Sequence, residues 1–114
     1  MVFSYIMSRI ANVDWSTIEG FEWDAGNREK NRHKHNVTTK ECEEIFYNLP
    51  LYTVKDIYHS ANEYRYKVLG QTNTRRLLAV AYTIRGERIR IISARDQSRS
   101  ERKFYEKTKK NTEL

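Results

Sequence analysis

A chain of 114 residues with 39% hydrophobic and 32% charged side chains has material for one small core under a large wetted surface, so these residues are expected to form one domain. The net charge of +6 is unevenly spread: residues 1–50 hold six basic and eight acidic side chains, residues 51–114 fifteen and seven. The positive field therefore belongs to the second half, and its natural partners are polyanions or an acidic protein surface.

The single cysteine, Cys42, permits neither an internal disulfide nor a thiolate zinc cluster, and points to a reducing compartment. Residues Met1 to Ile10 lack the basic leader and long apolar run of a secretory signal. No stretch is long and apolar enough to span a bilayer. A cytoplasmic protein with no membrane association is expected.

Residues 1–20 show neither a helical nor a strand period and read as an N-terminal arm. A short strand is predicted around Phe21 to Trp23, followed by Asp24 as N-cap of a polar helix over about 25–35. Asn36 suits the left-handed turn that ends it. Thr38 and Glu41 then form a capping box, and Cys42, Ile45, Phe46 and Leu49 recur at helical spacing, predicting a second helix over about 38–48 that Pro50 stops.

From Leu51 the period changes to two. Strands are predicted at 51–56 and 64–69, joined near His59 to Asn62. The continuous run Leu77 to Tyr82 reads as a central strand buried on both faces, and Arg85-Gly86-Glu87 turns the chain into Arg88 to Ile92. In that last strand Ile89 and Ile91 face one side, Arg88 and Arg90 the other. Ser98 with Glu101 opens a C-terminal helix that touches the sheet through Phe104 and Tyr105, and residues 107–114 form a basic tail. The expected fold class is α+β: an antiparallel sheet of four to five strands, with two N-terminal helices and a C-terminal helix packed on one face.

An ordered set of residues resembles the BrnT-type ribonuclease toxins of type II toxin–antitoxin pairs. It comprises Phe21-Glu22-Trp23-Asp24, Asn31, Lys34-His35 and Val37; Asp56, His59, Glu63, Arg65 and Gly70; and Arg85-Gly86, Arg90 to Arg95, Glu101-Arg102 and Tyr105. The match covers residues 21–106. It implies a RelE-like small domain, metal-independent RNA cleavage that arrests growth, and neutralisation by a BrnA-type ribbon-helix-helix antitoxin in a complex of two toxin and two antitoxin chains. It further implies that operator DNA is bound only through the antitoxin. The chain departs from the family where Asn27 stands for a usual Lys, a candidate phosphate contact, where Asn36 stands for Gly, and where Thr39 stands for a common aromatic.

Metal-free RNA cleavage requires activation of the 2′-hydroxyl, stabilisation of the phosphorane and a proton for the leaving oxygen. Arginine suits the second task, because its planar fork grips two phosphate oxygens and stays charged. The catalytic candidates are Arg65, Arg90 and Arg95 for charge, with His59 and Glu63 as base and acid. Arg88, Arg102, Tyr105 and Lys34 are candidate RNA contacts. Each has a structural alternative: Glu63 as a salt bridge to Arg65, Arg90 as a cross-strand ion-pair partner, Arg95 as a cap held by Glu101 or Asp96, Tyr105 as a lock between helix and sheet. His33, His35 and His59 lack metal-ligand spacing, so no metal and no cofactor is expected. The competing functional classes are a non-catalytic basic nucleic-acid-binding module and a protein that binds only an acidic, antitoxin-like partner.

Overall fold

The computed structural model describes residues 18–23, 35–56 and 65–113. In chain order its elements are β1 (Gly20–Glu22), α1 (Thr39–Glu44) running into a 3-10 turn (Ile45–Tyr47), β2 (Tyr52–Asp56), β3 (Arg65–Gln71), β4 (Leu77–Arg85), β5 (Arg88–Asp96) and α2 (Arg99–Glu113). The predicted helix over 25–35 lies outside the described residues, apart from His35 at its end. The class is α+β, with five strands in the order β1-β5-β4-β3-β2.

The local signals act as their chemistry requires. Asn36 takes φ 52°, Thr38 and Glu41 close a capping box on α1, and Ser98 and Glu101 close another on α2 through bonds of 3.2 and 2.8 Å. Gly86, at φ 59°, makes the two-residue turn that sets Arg85 opposite Arg88, a conformation costly for a residue with a Cβ.

Two expectations are corrected. The sheet is mixed, because β1 lies parallel to β5. Only hairpin neighbours are forced to be antiparallel, and β1 joins a strand formed almost seventy residues later. The helical elements also flank the sheet instead of sharing a face. Cys42, Ile45, Phe46 and Leu51 pack with Val68, Val80, Tyr82, Ile89, Ile91 and Ala94 on one side. Tyr105 of α2 packs with Leu69 and Ala79 on the other. The reason is the apolar run of β4, which presents side chains to both faces and has to be covered on both.

Phe46 organises the larger core, meeting Phe21 and Tyr82 edge to face at 5.4 Å in each case. Arg76 ties the periphery together. Its guanidinium donates to the Asp96 carboxylate (2.8 and 3.2 Å), to Glu41 (3.2 Å), and to the carbonyls of Asn36 (2.8 Å) and His35 (3.1 Å). It thereby fastens the start of α1 to the end of β5.

Gly70 allows the 3-10 turn to lie directly on β3. A Cβ there would stand 3.0 Å from Ile45 Cβ and 3.1 Å from Leu51 Cδ1. Gly70→Ala should therefore destabilise the fold by about 1–3 kcal/mol through overpacking, seen as a lower midpoint in thermal or urea unfolding. An unchanged midpoint would mean that the turn yields freely.

Candidate functional site: a basic face of the sheet

Residues directly opposite one another in adjacent strands project to the same face, so the register identifies which cations share a side. Arg65 lies opposite Thr83, Thr83 opposite Arg90, and Arg90 beside Glu22 on β1. Arg65 and Arg90 thus flank one buried threonine, two strand spacings or about 9–10 Å apart at the backbone. Arg85 and Arg88 form the next row toward the hairpin tip. In the other direction come Lys67, Ala81 and Ser93, and then Leu69, Ala79 and Arg95.

Strict alternation would put Arg90 and Arg95 on opposite faces, since Arg95 lies an odd number of steps along the strand from Arg90. The register shifts between Ala81 and Tyr82: Ala81 faces Ser93 while Tyr82 faces Ile91. Ile92 is the extra residue of a β-bulge, which inverts the parity of everything beyond it. Burial follows the same inversion, with Ile89 and Ile91 in the core before the bulge and Ala94 in the core after it. All three predicted arginines therefore come to one face.

Their environments differ. Arg65 and Arg90 are half-buried, and Arg65 Nε is out of contact with solvent. Arg88 is exposed. Arg95 donates two parallel bonds to Glu101, at 2.7 and 3.1 Å, and one to the Asp96 carbonyl at 3.1 Å. Lys67 pairs with the same Glu101 carboxylate. Hydrogen bonds from Arg95 hold the Glu101 carboxyl far below the usual carboxylate range, with Lys67 and the Ser98 amide assisting against the cost of burial. The same contact raises Arg95 above the ordinary arginine value.

Other candidates fall elsewhere. Tyr105 is fully buried and its hydroxyl donates to the Pro50 carbonyl at 2.7 Å. Burial pushes that hydroxyl's pKa up, so it offers neither a ring face nor a proton: the expectation of an RNA contact gives way to a core role. Arg102 is exposed on α2, where its charge helps to lower the Asp96 carboxyl behind the larger effect of Arg76. Cys42 is buried, and burial followed by the nearby charges of Glu41 and Glu43 pushes its thiol up to about 12, which rules out an activated thiolate at neutral pH. His59, Glu63 and Lys34 lie outside the described residues. Among the described residues no three His, Cys, Asp or Glu side chains gather as metal ligands.

Sequence reasoning missed Lys67 and Arg76. Lys67 was accessible, standing two residues beyond Arg65 and so on its face. Arg76 carried no signal, because its carboxylate partners lie 20 and 35 residues away in the chain.

A small α+β domain with cations gathered on one open sheet face defines a class of compact basic proteins suited to gripping a polyanion. A family model described as the ribonuclease toxin BrnT of type II toxin–antitoxin systems matches residues 23–101, and the chain belongs to that family of ribonuclease toxins. The crystal structure of the Brucella abortus ribonuclease toxin BrnT is similar at 23% identity and a TM-score of 0.54, over 70% of this chain and 97% of that one. At that identity the likeness establishes the fold. No curated protein sequence matches significantly. Membership in a type II system implies an antitoxin partner and an RNA substrate, and no helix among the described residues is long and apolar enough to cross a membrane.

Because its pKa is depressed on folding, Glu101 contributes stability above the ordinary glutamate range, and that contribution is lost as pH falls through its lower folded value. Glu101→Gln should therefore cost roughly 1.5–3 kcal/mol at pH 7, the scale of a hydrogen-bonded charge. The deficit relative to the parent should narrow as pH drops below about 4. Urea unfolding from pH 7 to pH 2 measures it, and a deficit that stays constant over that range would detach Glu101 from the ion pairs.

Proposed function

We propose that this chain is a metal-independent endoribonuclease that severs RNA by attack of a ribose 2′-hydroxyl on the adjacent phosphorus, with the scissile phosphate held on the basic sheet face. The observation that supports this reading is the row in which Arg65 and Arg90 flank Thr83. Two guanidinium groups converging from separate strands can share the charge that develops on a phosphorane, and arginine does so without losing its proton. His59 and Glu63, in the segment that leads into β3, are assigned general base and acid. Arg95, committed to Glu101, is assigned to holding the substrate, as are Arg88, Lys34 and Arg102.

The same charge explains inhibition. A BrnA-type ribbon-helix-helix antitoxin would cover these arginines with an acidic segment, in a complex of two toxin and two antitoxin chains that binds operator DNA through the antitoxin alone. RNA and antitoxin compete for one surface, so neutralisation needs no separate allosteric site. The working compartment is the cytoplasm, and the catalytic likeness is to RelE-like ribonucleases.

The protein freed of its partner should cleave RNA in EDTA, and Arg90→Ala should reduce the rate by about 10²-fold or more, the usual effect of removing one transition-state donor, while still folding, as a cooperative thermal melt would show. Activity abolished by EDTA and restored by magnesium would overturn the metal-free assignment. A fully active Arg90→Ala would remove the arginine row from the chemistry.

A further inference from the structure

The face holds more cationic order than one phosphate requires. Along β4 it carries Ala79, which packs with Tyr105, then Ala81, and Thr83, which is buried in the row between Arg65 and Arg90. On either side stand cations: Arg65 and Lys67 on β3, Arg90 and Arg95 on β5. Successive rows are two residues apart, about 6.6–6.8 Å along the strand, a step comparable to one nucleotide of extended backbone.

Beyond the Arg65–Arg90 row, Lys67 and Arg95 are gathered on a single carboxylate. Glu101 sits low, with its side chain 12% exposed, whereas both cations are 42% exposed above it. Glu101 is itself fixed by the Ser98 amide in the α2 capping box. One negative charge thus holds two positive ones in place, leaving a net positive charge that points to solvent. Bidentate pairing to Glu101 fixes the guanidinium plane of Arg95, and the Lys67 ammonium has three donors, more than one carboxylate contact uses.

We propose that Lys67 and Arg95, positioned by Glu101, form a second phosphate subsite that takes the backbone phosphate next to the scissile one on a single RNA strand. This rests on the assignment of the scissile phosphate to Arg65 and Arg90.

The test uses the full-length chain and a short single-stranded RNA made non-cleavable by a 2′-deoxy sugar at the scissile position, with binding read by fluorescence anisotropy over a salt series. Lys67→Ala should weaken binding several-fold and reduce the magnitude of the slope of log K against log salt by about 0.7, the value for one phosphate contact on a single strand. Lys67→Arg should restore both. Replacing the adjacent linkage by an uncharged methylphosphonate should weaken the parent equally and Lys67→Ala hardly further. With the cleavable strand, Lys67→Ala should raise KM and leave kcat unchanged.

Losses that add independently, or an unaltered salt slope in Lys67→Ala, would overturn the subsite even where the parent still cleaves RNA. A Lys67→Ala protein that binds RNA normally and fails only to capture the antitoxin would also overturn it, giving the pair to the protein partner. Failure of the parent itself to cut RNA, with the salt slope still sensitive to Lys67, would defeat the catalytic assignment and leave the subsite standing.

Discussion

A single extra residue in β5 determines the character of the molecule's open face. The bulge at Ile92 lets the strand present Ile89 and Ile91, and later Ala94, to one core while Arg90 and Arg95 emerge together on the opposite side. A regular strand of this sequence would have to bury Arg95 or expose its isoleucines. Burying an arginine among the aromatic side chains of the larger core would carry a desolvation penalty far above the cost of one broken ladder position. The irregular backbone is thus the cheaper solution, and it concentrates charge as a consequence.

That concentration is tolerable because Glu101 lies among the cations. Guanidinium and ammonium groups gathered on one face repel one another, and a carboxylate shared by Lys67 and Arg95 offsets part of the repulsion. The same carboxylate completes the α2 capping box. Helix start and cation placement are therefore coupled through one side chain. Arg76 plays the opposite part, satisfied by two carboxylates and two carbonyls, and it belongs to the scaffold. Two arginines of equal formal charge differ in what they can offer a ligand because of the carboxylates around them.

The central strand is what both faces of the sheet are built on. β4 is covered on one side by α1, its 3-10 turn and the aromatic core; on the other, Tyr105 of α2 packs on Ala79 and Thr83 is buried as well. The rest of that second side is floored by small residues and walled by basic ones. Among these basic side chains, Lys67 and Arg95 keep their charged ends partly exposed although both are paired with Glu101.

Much of this was legible in the residues. Helical spacing and the Thr38–Glu41 and Ser98–Glu101 boxes marked both described helices, the unbroken run from Leu77 marked the central strand, and alternation in Arg88 to Ile91 marked a two-sided one. These are local properties, set within a few residues by hydrogen-bonding reach and side-chain period, so a sequence determines them directly. The placement of Arg95, the pairing of Lys67 with Glu101, the parallel entry of β1 and the clamp at Arg76 were decided only by tertiary structure. Each depends on parity after a bulge or on partners brought together from distant parts of the chain, and pairing across strands is selected by burial of the whole core, which no local window contains.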